Sequence, residues 1–340
     1  MRKILNIILA VLLVAVTAFS LVACAPNDGG VSSRKGLRYK KIDGVYTIFD
    51  YVDEGNGVTE LDIGAILAET EISDDFRIKK GAFDGNDTLT KIVVPEQVIE
   101  VEEGAFRNMK KLQTLEVCFI GRTVNADAFE LESATAVDKS VDSARTIAHY
   151  FGTEEYDAGR AVTVVYGAAS KTCYMPITFE NVIVNAVKTA AGRTSYSIPM
   201  HAFNGANNIK SVVLKGDKLG AIGENAFNGC VALASIEIPE TVKTIYKNAF
   251  NGCTKLASVA FGSNASEVVV KEKAFEGCTA ISYLGVKVDT LPAVKTVDLS
   301  VFAQIGNKAL DFGNEHVTYK VANAGEIDLG LAFGETGYAE

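Results

Sequence analysis

Apolar residues recur along this chain at a fixed interval. The dipeptide Ala-Phe stands at Ala82-Phe83, Ala105-Phe106, Ala128-Phe129, Ala202-Phe203, Ala226-Phe227, Ala249-Phe250 and Ala274-Phe275, with spacings of 23, 23, 74, 24, 23 and 25 residues. The long gap is close to three periods. Five residues before each Phe stands a β-branched aliphatic: Ile78, Val101, Val124, Ile198, Ile222, Ile245 and Val270. Six after it comes Leu89, Leu112, Ile209, Leu233, Leu256 or Ile281. Nine and eleven after it stand pairs such as Ile92 and Val94, Leu115 and Val117, Val212 and Leu214, or Ile236 and Ile238. Only the unit at Phe129 departs, with Thr135 and Asp138 in the later places.

Two apolar positions two apart put their side chains on one face of a short strand. A strand that short cannot bury its apolar face alone, so successive units must stack strand beside strand, at roughly 4.8 Å, into a continuous core. The pattern therefore predicts a solenoid. Pro95 and Pro239, just beyond the strands, have no N–H to donate and mark where pairing stops.

The interval divides the chain. Residues 78–131 and 197–290 carry the repeat, and residues 132–196 break it. Within the break, Val137, Val141, Ala144, Ala148 and Phe151 stand at helical spacing in 132–152, while 160–167 and 176–187 have strand composition. Degenerate coils with an inserted helix account for this stretch, and a projecting recognition element is the alternative, in which Tyr150, Phe151, Tyr156, Tyr166 and Tyr174 would suit an interface. Residues 38–77 contain strands suited to an N-terminal cap. Residues 291–340 read as a cap with one worn coil, which keeps Ile305, Ala309, Leu310, Val317, Tyr319 and Val321 in repeat-like places. Caps are required because an open sheet edge invites aggregation.

Cysteine enters this picture as one choice at a repeat position. Three residues after each Phe the column reads Asn86, Met109, Glu132, Ala206, Cys230, Cys253 and Cys278. A compact, buried, structural thiol fits that column. Zinc sites carry local ligand pairs such as C-x-x-C, and this sequence has none. Three aligned cysteines cannot all pair among themselves, so free buried thiols are expected, with a single bridge the alternative.

The first residues are of a different kind. Arg2 and Lys3 precede an apolar run from Ile4 to about Ala18 and then small residues up to Cys24, which is the form of an export signal. Leu21-Val22-Ala23-Cys24 resembles the lipobox of bacterial lipoproteins. That resemblance implies a signal peptide over 1–23, acylation at Cys24, and an extracytoplasmic protein anchored by lipid to the cell envelope. An uncleaved helix is the competing reading. Residues 24–37, rich in Gly, Ser, Asn and Pro, form a flexible tether. Loss of Arg2 and Lys3 would take the formal charge from −9 to −11. Such acidity argues against nucleic acid as a partner, because phosphate binding needs a basic footprint.

The stretch from Ala226 to Gly262, "AFNGCVALASIEIPETVKTIYKNAFNGCTKLASVAFG", resembles the BspA-like leucine-rich repeat family. The match is strong over about 222–284 and good over 78–117. The resemblance implies a β-rich solenoid of about 23 residues per coil, with short parallel strands, an irregular central insertion and terminal caps. It also implies a bacterial cell-surface protein engaged in adhesion or in recognition of host or matrix proteins. It brings no catalytic residues.

Candidate chemistry is sparse. His149, His201 and His316 are scattered, without metal-ligand spacing, and glycine clusters such as "LKGDKLG" make no phosphate loop. Neither cofactor nor metal is expected. What remains is the strand face that alternates outward, whose candidate binding residues are Lys91, Thr114, Glu116, Ser211, Ser235, Glu237, Ser258 and Tyr283. Mostly small and neutral, they suit contact with a protein or other surface macromolecule better than bond cleavage. A structural envelope lipoprotein without a host ligand is the second reading, and a solenoid enzyme the third.

Overall fold

A computed structural model of the chain describes residues 30–124, 143–166, 169–189, 194–262, 268–291, 296–298, 301–306, 309–310 and 318–320. Two runs of short parallel strands line opposite sides of one apolar interior. The larger sheet has ten strands, in the order β22-β20-β19-β17-β15-β13-β11-β8-β6-β4. These are β4 (Glu60–Asp62), β6 (Lys91–Val93), β8 (Thr114–Val117), β11 (Asn181–Asn185), β13 (Ser211–Lys215), β15 (Ser235–Ile238), β17 (Ser258–Phe261), β19 (Tyr283–Val286), β20 (Thr296–Asp298) and β22 (Thr318–Lys320). The predicted nine-and-eleven columns supply their inward side chains: Ile92, Leu115, Val212, Ile236, Val259 and Leu284 are all buried. β15 ends at Ile238, immediately before Pro239, as the missing N–H requires.

The column five residues before each Phe builds the second run of strands. β12 (Tyr196–Ile198), β14 (Leu219–Ile222), β16 (Thr244–Ile245), β18 (Val268–Val270) and β21 (Phe302–Ile305) pair in parallel. Toward the N-terminus, β5 (Phe76–Ile78) and β7 (Val98–Val101) do the same, and their edge is covered by an antiparallel meander of β1 (Ser32–Arg34), β2 (Leu37–Ile42) and β3 (Val45–Tyr51). β4 runs directly into a short helix, α1 (Ile63–Ala68), whose N-cap Asp62 accepts a hydrogen bond from the Ala65 N–H at 2.9 Å.

Between the two runs lies the Phe turn, and it explains why "NAFNGC" recurs. Asn225 and Asn248 adopt φ of +53° and +54°, and Gly229 and Gly252 φ of +73° and +72°. Two left-handed residues thus bracket each Phe, and Asn and Gly are the residues that pay least for that conformation. The Ala between them is fully buried, and the Phe points inward. Phe203, Phe227, Phe250 and Phe275 form a column of nearly parallel rings, 4.8, 4.8 and 5.2 Å between centroids. That is the strand spacing itself, because each ring rides on its own coil.

The cysteine closes the turn. The thiols of Cys230, Cys253 and Cys278 donate to the carbonyls of Phe203, Phe227 and Phe250 in the preceding coils, at 3.1, 3.1 and 3.0 Å. Burial pushes the Cys230 and Cys278 thiols far above their ordinary pKa, so they stay protonated as donors. All five cysteines among the described residues are free and buried.

The centre departs from the sequence reading in two ways. The gap in the Phe column spans close to three periods, yet among the described residues only one strand of the large sheet, β11, stands between β8 and β13. The extra length goes partly into a hairpin, β9 (Gly159–Tyr166) with β10 (Ala169–Pro176), paired over its full length outside the repeat. The place beyond Phe106 in the stack is filled by Tyr150 and Phe151: the Phe106 N–H bonds the Tyr150 carbonyl at 2.9 Å, and the two rings meet edge to face at 6.0 Å. The Ala128-Phe129 pair assigned to that place lies outside the described residues. So does most of the helix expected over 132–152, and its described end is instead two 3-10 turns, Ser143–Arg145 and Ile147–Tyr150. At that described end Ala148 and Phe151 are buried in and beside tight turns.

At the C-terminal end, the Phe275 N–H bonds the carbonyl of Ala309 at 2.9 Å, as each earlier Phe bonds the next coil. Ala309-Leu310 therefore occupies the Ala-Phe place, and both residues are buried. Leu310 stands there in place of the ring.

Candidate functional site

Parallel pairing without register shifts turns the outward positions of the large sheet into straight rows. One row runs Glu60, Lys91, Thr114, Asn181, Ser211, Ser235, Ser258, Tyr283, Thr296 and Thr318, each opposite the next. Nine steps of about 4.8 Å make it roughly 43 Å long. Six of the eight sequence-predicted residues share this row. The other two, Glu116 and Glu237, lie two residues further along their strands in a parallel row with Val93, Ile183, Val213 and Ala260.

Not all of them are available. Tyr283 is only 6% exposed: its ring lies over Gly285, and its hydroxyl donates to the carbonyl of Val286. The absence of a Cβ at Gly285 lets the ring lie flat, so Tyr283 belongs to the wall of the solenoid and not to an open contact surface. The charged members are held in cross-strand ion pairs. Lys91 meets Glu60 at 3.4 Å, Glu116 meets Lys215 at 2.7 Å, and Glu237 meets Lys287 at 2.8 Å. Exposed pairs of this kind contribute little stability, ~0–1 kcal/mol each, but they fix charge positions along the face.

The middle of the face is therefore a strip of Ser211, Ser235 and Ser258 beside Val213 and Ala260, with Val213 46% exposed. Residues 176–187 have strand composition in the sequence but no predicted place on this face, to which β11 contributes Asn181, Ile183 and Asn185. Its signal was present in the alternation of Val182 and Val184, but the shifted Phe turn hid its place in the order. Glu60 and Asp62 on the edge strand were missed too, because their unit carries no Ala-Phe.

The other sequence candidates fall elsewhere. Tyr150 and Phe151 are fully buried, and the Tyr150 hydroxyl donates to the Phe119 carbonyl at 2.7 Å, so these rings are core and not interface. Tyr156 and Tyr174 are half-buried, and the side chain of Tyr166 lies outside those described. His149 is buried with Nε2 3.1 Å from the Val101 carbonyl, and His201 is buried in a Phe turn at φ +59°. Burial lowers both pKa values, that of His201 to about 4. His316 and Cys24 lie outside the described residues. Among the described residues no group of three or more His, Cys, Asp and Glu side chains is placed to hold a metal ion. No described helix is long and apolar enough to cross a membrane.

The family comparison agrees with the geometry of the coils. A family model described as "BspA type Leucine rich repeat region (6 copies)" matches residues 67–151 and 177–315, more than half of the chain. Solved structures similar to it include a T. pallidum leucine-rich repeat protein, at 17% identity and TM-score 0.33, covering 82% of this chain and 87% of that one. A leucine-rich cell surface protein from Faecalibacterium prausnitzii is 13% identical, with TM-score 0.24, covering 78% and 97%. A leucine-rich repeat protein from Bacteroides ovatus is 16% identical, with TM-score 0.27, covering 92% and 100%. No curated protein matches.

Proposed function

The chain belongs to the BspA-type leucine-rich repeat family, and on that premise we propose that it is a non-catalytic recognition protein of the bacterial cell surface. In this reading acylated Cys24 holds the solenoid outside the membrane, and the outward face of the ten-stranded sheet meets a matrix or host protein. The observation that carries it is the straight strip of Ser211, Ser235 and Ser258 with Asn181 and Thr114. Its side chains are short and fixed by the sheet. They lose little rotamer freedom on contact and offer hydroxyls and amides over a span matched to an extended partner. Catalysis would instead need titratable groups converging on one point. The carboxylates of Glu60, Glu116 and Glu237 on this face are spread along it and paired with lysines, and Asp62 caps α1.

The test is capture of partners from matrix proteins and from envelope extract by the purified, immobilised chain, compared with the variant Ser235→Arg. Capture of a matrix protein that the variant loses at least tenfold supports the proposal. Retention of envelope components alone overturns adhesion, and capture indifferent to Ser235→Arg overturns the face. Replacing Cys24 by Ala should abolish lipid labelling, and unchanged labelling would remove the anchor.

A further inference from the structure

At one end of the recognition face the sheet is not flat. The strand ends of β4, β6, β8 and β11 and the start of α1 enclose an open groove of about 600 Å³, within the roughly 300–1,000 Å³ range of ligand clefts. Val93, Pro95 and Val187 give its wall an apolar part, and three carboxylates stand around them: Asp62, Glu96 and Glu116. Their neutralisation is uneven. Glu116 is paired with Lys215 at 2.7 Å. The nearby Lys188 ammonium is committed to Asp75 at 3.0 Å and to the backbone carbonyl of Glu96 at 3.2 Å, leaving the Glu96 carboxylate aside. Among the described residues neither Asp62 nor Glu96 has a cationic partner, and Asp62 spends one oxygen on the helix cap.

We infer that this groove docks a lysine- or arginine-bearing segment of the protein partner. The inference rests on the recognition reading above and gives the partner a chemistry. An amphipathic basic side chain is the group that fits both features, its methylene stem lying on Val93, Pro95 and Val187 while its charged head meets Asp62 and Glu96. The groove opens beside Glu116 and Asn185, two and four residues along β8 and β11 from Thr114 and Asn181 of the strip, so a segment crossing the strip toward the strand ends reaches it.

The test uses the purified chain and fluorescein-labelled tetralysine and tetraglutamate peptides, followed by anisotropy at low and high salt. The variant Asp62→Asn/Glu96→Gln removes both charges while Asn keeps the helix cap. Glu155→Gln/Asp157→Asn, on the exposed connection before β9, removes the same charge elsewhere. Expected is tetralysine binding at least tenfold tighter than tetraglutamate, weakened at least fivefold by the groove variant and less than twofold by the control. The exposed single change Glu96→Gln should weaken it about half as much on a logarithmic scale, independent of the cap. Equal weakening by both double variants assigns the binding to the overall acidity of the chain and overturns the site, as does no weakening by either. The two proposals separate cleanly. Loss of capture with Ser235→Arg but unaltered tetralysine binding in the groove variant sinks the groove alone, and the converse sinks the face alone.

Discussion

Replacing Phe250 by Leu tests the stacked column quantitatively. Phe250 is fully buried and lies between two rings, Phe227 at 4.8 Å with 2° between planes and Phe275 at 5.2 Å with 3°. Truncation to Ala would cost about 3–5 kcal/mol, mixing lost transfer energy with the cavity left behind. Leu retains most of the apolar volume and removes both ring contacts, each worth ~0.5–1.5 kcal/mol beyond area burial. Phe275→Leu removes one described ring contact, because the next coil carries Leu310 at that place. The transfer and cavity costs nearly cancel between two fully buried Phe→Leu changes in adjacent coils. Phe250→Leu should then be more destabilising than Phe275→Leu by about one ring contact, ~0.5–1.5 kcal/mol. Phe227→Leu, again between two rings, should match Phe250→Leu. The chain has no Trp, so urea melts are followed by far-UV circular dichroism. With a slope of about 3 kcal/mol/M the midpoints should differ by roughly 0.2–0.5 M. Equal midpoints for Phe227, Phe250 and Phe275 would show that the rings do not couple coil to coil. A loss below about 0.5 kcal/mol for Phe250→Ala, where about 3–5 kcal/mol is expected, would place the side chain in solvent.

Three further outcomes follow from the turn. Gly252→Ala should destabilise by about 1 kcal/mol, purely through backbone conformation, since an added Cβ would stand 4.0 Å from its nearest neighbour, the Gly229 nitrogen; an unchanged urea midpoint would refute the left-handed geometry. The thiols of Cys118, Cys173, Cys230, Cys253 and Cys278 should resist Ellman's reagent in the native chain and react after unfolding, and a disulfide found among them by mass spectrometry would contradict the thiol-to-carbonyl ladder. Burial depresses the folded pKa of His201 to about 4 from an unfolded 6.5, so the unfolded chain binds the extra proton in that window and stability falls as pH drops from 6.5 to 4. His201→Asn, which places at this left-handed position the residue found at 225 and 248, should flatten that dependence in pH-resolved melts; an unaltered profile would assign it to other groups.

Much of this architecture was legible because the fold repeats its physics. A Phe that must point inward, an Ala beneath it and two strand positions two apart leave the same letters in each coil, so columns in the sequence become columns in space. Legibility failed where the geometry survived without the letters. Ala128-Phe129 matched the string, yet the place beyond Phe106 in the stack is taken by Tyr150 and Phe151, with Tyr at the Ala position, which no Ala-Phe search finds. β11 keeps its place in the large sheet although the β9–β10 hairpin separates it from its turn, because pairing depends on the strand and not on the loop before it. On the face itself, alternation located Ser211, Ser235 and Ser258 correctly as outward. It could not show that Tyr283 folds back over Gly285, because that contact depends on a neighbour two residues away and on the Asp298 strand beyond.

Cysteine-scanning accessibility tests the recognition face most directly. Ser235→Cys places a thiol in the middle of the strip, and Lys243→Cys places one at an exposed position beside β16 on the second sheet. Maleimide labelling of each is read by peptide mass spectrometry, with and without the captured partner. Both should label readily in the free chain, and the partner should slow labelling at 235 at least tenfold while leaving 243 unchanged. Protection at 243 with 235 still open would put the partner on the opposite side of the solenoid and contradict the account.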